Sequence, residues 1–302
     1  MKKNKYTKWI LSAACAVLLG SCVDENMNIN PNTSPNLDPN LQISTIQVMP
    51  GNSAQDQWRY FVFPGGFMNQ WGGDWSVINY GGSATLSDGH SSQLWSHLYT
   101  YVIKDVVDLV DRTNGIDEYK NINAVARILK VENFLKLTDY YGDIPYFEAG
   151  KAAQGTFKPK YDTQKDIYKD FLKELDEAVK QFDASKPSLT GDLYYGGDIN
   201  KWKRYGNSLR LRIAMRLINV TDSDIDVKKE IEDAANAGGG LMNSNNDICF
   251  VKYDNVSDVE RSAGNGIANL LYMANPSTFK VTKELIGTMQ ENSDPRIRFY
   301  AG

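Results

Sequence analysis

Histidine and cysteine are nearly absent from this chain, with two and three residues among 302. His90 and His97 do not stand in metal-ligand spacing with other donors, so a zinc centre is not expected. No G-x-S-x-G elbow and no phosphate-binding P-loop is present. Gly264-Asn265-Gly266 lacks the third glycine of a dinucleotide fingerprint. Basic charge is also in short supply. The 33 Lys and Arg are outnumbered by 37 Asp and Glu, which argues against a nucleic-acid partner. After residue 19 no apolar run is long enough to span a bilayer as a helix. No cofactor and no catalytic set is therefore expected.

What is present begins at the N-terminus. Lys2, Lys3, Lys5 and Lys8 precede an apolar run, Trp9 to Leu19, broken only by Ser12. Its length suits a signal-peptide core. Leu19-Gly20-Ser21-Cys22 follows, and small residues before a cysteine are what lipoprotein processing requires. We read residues 1–21 as a lipoprotein signal and Cys22 as the lipidated first residue, anchored to a membrane through its acyl chains. Removing 1–21 takes four lysines and no acid, so the charged residues become 29 basic and 37 acidic, a net charge of −8. Cys15 departs with the signal and Cys22 carries lipid. Cys249 is then the lone thiol, an intrachain disulfide is excluded, and its setting Ile248-Cys249-Phe250-Val251 predicts a buried small hydrophobe. Residues 22–42, rich in Asn and Pro with few core formers, read as a flexible tether.

The body, 43–302, reads as mostly α: an irregular helical bundle with tetratricopeptide-like helix pairs, long loops and little β. Apolar spacing predicts helices opening within 43–58 and covering 94–113, 119–141, 164–183, 200–219, 225–237 and 278–291. Thr163 is the expected N-cap of the fourth, with Asp166 three residues on. No fixed repeat period recurs. Asp222-Ser223-Asp224-Ile225-Asp226 resembles the start of a calcium loop, but Val227 stands where such a loop needs glycine. Carboxylates at a helix N-terminus explain the cluster better.

Residues 59–93 differ from the rest. Glycine pairs at 65–66, 72–73 and 81–82 exclude long regular elements. Threaded among them are Trp58, Tyr60, Phe61, Phe67, Trp71, Trp75 and Tyr80, with Asn69, Gln70, Asp74 and Asn79. Flat rings beside amides and carboxylates suit a sugar: a ring stacks on the C–H face of a pyranose while polar groups bond its hydroxyls. The same rings would equally serve as the small core of an irregular segment. Trp71, Asp74, Trp75 and Tyr80 are the candidate ligand-binding residues.

Further blocks carry a resemblance. Ala126-Arg127-Ile128-Leu129-Lys130 leads to Leu137-Thr138-Asp139-Tyr140-Tyr141-Gly142-Asp143-Ile144-Pro145-Tyr146. Then come Pro159-Lys160-Tyr161-Asp162-Thr163-Gln164, Glu174-Leu175-Asp176-Glu177-Ala178, Lys201-Trp202, Asn207-Ser208-Leu209-Arg210-Leu211-Arg212 and Asp294-Pro295-Arg296. In this order they resemble the SusD/RagB family, in particular the SusD-like subgroup, of Bacteroidetes outer-membrane lipoproteins. The resemblance implies a non-enzymatic α-helical protein on the cell exterior. Such a protein acts as the lid of a SusC-like TonB-dependent transporter, to which it delivers captured glycans or, in some branches, peptides. Asp24-Glu25 is similar to the acidic signal for surface export. The helix blocks are scaffold in the family, no ligand motif carries over, and an aromatic loop early in the chain favours Trp71 and Trp75. Family members continue beyond Asp294-Pro295-Arg296, so the chain reads as lacking the C-terminal part of the family fold. The other function class left open is a surface glycan-degrading or adhesive lipoprotein.

The lipidation reading has a direct test. Cys22→Ser is expected to abolish metabolic fatty-acid labelling and to leave the precursor unprocessed or free of the membrane fraction. Unchanged labelling contradicts it.

Overall fold

The computed structural model describes residues 37–52, 58–73, 77–221, 224–253, 265–268 and 279–300. The chain divides into two compact units, Met1–Asp38 and Pro39–Gly302. Cys22, Asp24 and Glu25 lie outside the described residues.

In the second unit the first helix, α1, is Pro39–Val48. It starts inside the stretch expected to be tether and ends well before residue 58, where a 3-10 turn, Met49–Gly51, takes over. Pro39 suits a first helical position, where its missing N–H costs nothing. Ile43 and Ile46 are fully buried. Gln42 Nε2 donates to Asp105 O at 2.8 Å and to Asp108 Oδ2 at 2.9 Å. A π-helical segment, Trp58–Gly65, a short strand β1, Trp71–Gly73, and a second π-helical turn, Val77–Gly81, make up the glycine-rich stretch. Then follow α2 (Asp88–Ser91), α3 (Gln93–Leu98), a π turn (Tyr99–Ile103) and α4 (Lys104–Thr113). The last three together fill the helix predicted over 94–113.

The helical layers come next: α5 (Lys120–Tyr141), α6 (Gln164–Gln181), α7 (Ile199–Arg216) and α8 (Val227–Asn236). Each packs on the next, and α5 also packs on α1 and α4. Each of α6, α7 and α8 has a side-chain N-cap. Thr163 Oγ1 accepts from Asp166 N at 3.1 Å, Asp198 Oδ1 from Asn200 N at 2.9 Å, and Asp226 Oδ1 from Lys229 N at 3.0 Å. Asp226 thus serves the helix terminus. Asp222 lies outside the described residues, among which no cluster of His, Cys, Asp and Glu is arranged for a metal.

One expected helix is shorter than its apolar pattern. Instead of running from Thr278 to Glu291, the chain forms strand β2, Phe279–Val281, and then α9, Lys283–Glu291. Trp71 sits opposite Val281, and Gly73 opposite Phe279, in an antiparallel pair. The stop is chemical. Thr282 Oγ1 accepts from Leu285 N at 3.2 Å and so caps α9. An aromatic and a β-branched residue precede it and pair with β1. A short α10, Ile297–Tyr300, ends the described chain.

Helix α5 is covered nearly all round, from Asn121 to Thr138. Large side chains such as Ile128, Leu129, Phe134 and Leu137 are fully buried, each stabilising by roughly 1.5–3 kcal/mol. Its buried amide at Asn123 is tied to the preceding helix: Nδ2 donates to Val110 O and Thr113 Oγ1, both at 3.0 Å. Arg127 clamps α6, with Nε on Glu174 at 2.8 Å. Gly142, at φ +74°, ends the helix. Cys249 packs half-buried against the core, and burial pushes its thiol up. The buried-hydrophobe reading of its apolar run therefore holds in part.

A buried carboxylate ties the ends of this stack together. Asp192 Oδ1 accepts from Gln47 Nε2 at 2.8 Å and Tyr194 N at 3.0 Å. Asp192 Oδ2 accepts from Gly197 N at 2.9 Å and Trp202 Nε1 at 2.7 Å. The Trp202 ring is fully buried. Trp202→Phe deletes a bond to a charged acceptor, and unfolding in urea should show a loss of about 1.5–3 kcal/mol. An unchanged midpoint would remove the bond from the stability account.

Candidate functional site

The glycine-rich stretch builds a second, smaller apolar cluster from Trp58, Val62, Phe63, Val77 and Phe279, with Phe61, Trp71 and Tyr80 packed on it. Its glycines work inward. A Cβ on Gly81 would lie 1.7 Å from Val62 O, and one on Gly65 would lie 2.4 Å from Trp71 Cδ1. They allow the two π turns and Trp71 to touch.

The structure brings two of the four expected ligand residues into this cluster. Trp71, half-buried on β1, meets Phe61 edge-on with centroids 4.9 Å apart. Tyr80, also half-buried, meets Trp58 edge-on at 5.3 Å and His90 at 5.1 Å. Asp74 and Trp75 lie outside the described residues.

One face of the cluster opens on a cavity of about 590 Å³, and Trp71 and Tyr80 are not among the residues that line it. Trp58, Phe63, Phe67, Leu86, His90 and Leu94 form one wall, and Asp139, Tyr140 and Tyr141 from the end of α5 form the other. His90 lies flat on Trp58 at 3.6 Å with 16° between planes, and Phe67 continues from Phe63 at 5.8 Å. Nδ1 of His90 is buried without a hydrogen-bond partner among the described residues. Phe67, 44% exposed, presents its ring at the rim.

The far wall is held by hydrogen bonds. Tyr140 OH donates to Arg59 O. Burial pushes that hydroxyl up to about 12, so it stays protonated at neutral pH. Tyr141 OH donates to Ser91 O at 2.6 Å and accepts from Trp95 N at 3.1 Å. Asp139 accepts from Tyr168 OH at 2.5 Å and pairs with Arg216 at 3.1 Å. Buried Arg59 donates to Pro50 O at 3.2 Å. An apolar, ring-lined cavity with a few tethered polar groups can hold a molecule that has both C–H faces and hydroxyls.

A larger cleft of about 850 Å³ lies between α6, α7 and α8. Its charges are engaged with one another. Arg210, buried at its floor, binds Asp176 and Glu230, each at 2.7 Å, and Lys229 pairs with Asp233. The cleft reads as an interhelix ion-pair network, and the aromatic cavity is the candidate site.

A sequence model of SusD-like proteins, described as starch-binding and associating with the outer membrane, matches residues 72–302. The chain belongs to the SusD-like family. A solved chitin-binding protein is similar to it at 35% identity and TM-score 0.76, over 86% of this chain and 54% of that one. A SusD-like protein from Bacteroidetes AC2a is similar at 31% identity and TM-score 0.78, over 87% and 50%. A chitin-binding SusD homolog from Flavobacterium johnsoniae is similar at 25% identity and TM-score 0.69, over 85% and 52%. This SusD-like chain thus spans about half the length of these relatives. No curated protein sequence matches it. The mostly α fold with paired helices, expected from the SusD-like resemblance, is the one observed. Among the described residues no helix is long and apolar enough to cross a membrane.

Several cavity residues escaped the sequence reading. The sequence presents His90 only as a possible metal ligand, and Tyr140 and Tyr141 only within a scaffold block. The aromatic run at Trp58 and Phe67 was the available signal. Trp71→Ala should destabilise by about 2–3 kcal/mol, below the 3–5 of a fully buried ring, as read from a thermal melt. A shift near zero would place Trp71 outside the small core.

Proposed function

We propose that this chain is a lipid-anchored, outward-facing nutrient-binding protein of the outer membrane. It captures an oligosaccharide in the Trp58–His90 cavity and delivers it to a SusC-like TonB-dependent transporter. The observation that carries this reading is the cavity itself: stacked and edge-packed rings on one wall, and hydrogen-bonded tyrosines on the other, in a chain of the SusD-like family. Tyr80 buttresses the ligand-facing Trp58, Trp71 packs in the same small core, and Asp74 and Trp75, adjoining β1 in sequence, are carried as further ligand residues. Two relatives are named for chitin binding and the family description names starch. Chito-oligosaccharides are therefore the first ligands to try and malto-oligosaccharides the second.

Capture without chemistry suits the residues present. Among the described residues Asp139 is the single carboxylate lining the cavity, and Tyr168 and Arg216 hold it. A hydrolase of the usual kind needs two carboxylates facing each other across the bond to be cut. A peptide ligand would meet the same rings and is the competing outcome.

Titration calorimetry on the whole chain with both oligosaccharide series and with mixed peptides is the test. Phe67→Ala, at the exposed rim, should weaken oligosaccharide binding about tenfold with the melting temperature nearly unchanged. Full affinity in that variant, or binding of peptides alone, would overturn the reading.

A further inference from the structure

Outside the cavity a second aromatic surface begins where the first ends. Tyr141 lines the cavity and also meets Trp95 edge-on, with centroids 5.3 Å apart. Trp95 in turn carries Tyr161 on its face, at 6.0 Å and 22° between planes. Rings therefore continue from Tyr140 through Tyr141 and Trp95 to Tyr161, in steps of 5.3 to 6.3 Å. Tyr161 is 66% exposed. Its hydroxyl makes no hydrogen bond among the described residues, so no internal contact beyond the Trp95 stack accounts for an aromatic there.

The support beneath it is stiff. Asp162, the next residue, exchanges two backbone bonds with Ile144, at 2.9 and 3.2 Å. Its carboxylate accepts from Tyr146 N and Phe147 N, both at 2.9 Å. Tyr99 OH fixes the same loop by donating to Pro145 O at 2.6 Å. A ring held in this way loses little freedom when a ligand lies on it, which favours binding.

We propose that Tyr161, backed by Trp95, is a second carbohydrate platform continuous with the cavity, so that the ligand is a chain of sugars long enough to cross Tyr141 and reach it. This rests on the cavity being an oligosaccharide site. The occupant follows from that continuity. A sugar chain leaving the cavity past Tyr140 next reaches the exposed Tyr161 ring, whereas a compact ligand confined to the cavity would leave Tyr161 unused.

The experiment compares a disaccharide and a hexasaccharide of whichever series the whole chain binds, by titration calorimetry, in the parent and in Tyr161→Ala, Tyr161→Phe and Phe67→Ala. The parent is expected to prefer the hexasaccharide. Tyr161→Ala should lose about tenfold for the hexasaccharide and nothing for the disaccharide, whose unchanged binding also reports an intact fold. Tyr161→Phe should keep the preference, because the ring remains. If Tyr161→Ala keeps the parent's length preference, or Tyr161→Phe loses as much as the alanine variant, the second platform is overturned while the cavity reading stands. If Phe67→Ala leaves disaccharide binding intact, the cavity reading fails, and the platform fails with it. A parent that binds neither sugar overturns both.

Discussion

The burial of α5 on nearly every side is the constraint from which the rest of the molecule follows. A helix with Ile128, Leu129, Phe134 and Leu137 all fully enclosed needs neighbours around its circumference, and α1, α4 and α6 supply them. Its polar positions are then specified as strictly as its apolar ones. Asn123 must reach Val110 and Thr113, and Arg127 must find Glu174. Because the helix cannot rotate without breaking these bonds, its last turn has one orientation. That orientation sends Asp139, Tyr140 and Tyr141 into the cavity wall. The core and the candidate site are in this sense one construction.

This coupling explains why blocks read as scaffold also touch the site. Tyr146 donates to Asp170 at 2.6 Å and Tyr168 to Asp139. These bonds fasten the last turn of α5 and the loop after it to α6, and the same loop carries Tyr161. The structure places site residues at the edge of a rigid helical body, where positioning is a by-product of packing. The glycine-rich segment approaches from the other side with its own small core, and Tyr140 joins the two by bonding Arg59 O.

The helices were legible because their signals are local. Thr163 and Asp166 mark the start of α6, and Gly142 with Pro145 marks the end of α5. The helix expected from Thr278 starts late, at Lys283, because a strand of three residues leaves almost no period to detect, and because its partner, Trp71–Gly73, is remote in sequence. The candidate site was half legible. A dense aromatic run announced the segment, but which rings face the cavity depends on how the π turns fold over Gly65 and Gly81. Trp58 and Trp71 look alike in the sequence, yet only Trp58 lines the opening. His90 could not have been found, since its role comes from lying on Trp58, 32 residues earlier.

The Asp192 knot has a consequence for the order in which the molecule assembles. Beside the Gln42 bonds to α4, a second set of bonds on α1 joins residues 145 to 150 positions apart: Gln47 to Asp192, Ser44 to Gly191, Asn40 to Thr190. Helix α1 leaves the ribosome early, but this part of its seat does not exist until synthesis has passed residue 202. Closing so long a loop is entropically slow. The first helix of the body is thus held in two stages, early on α4 through Gln42 and only later at the Asp192 knot.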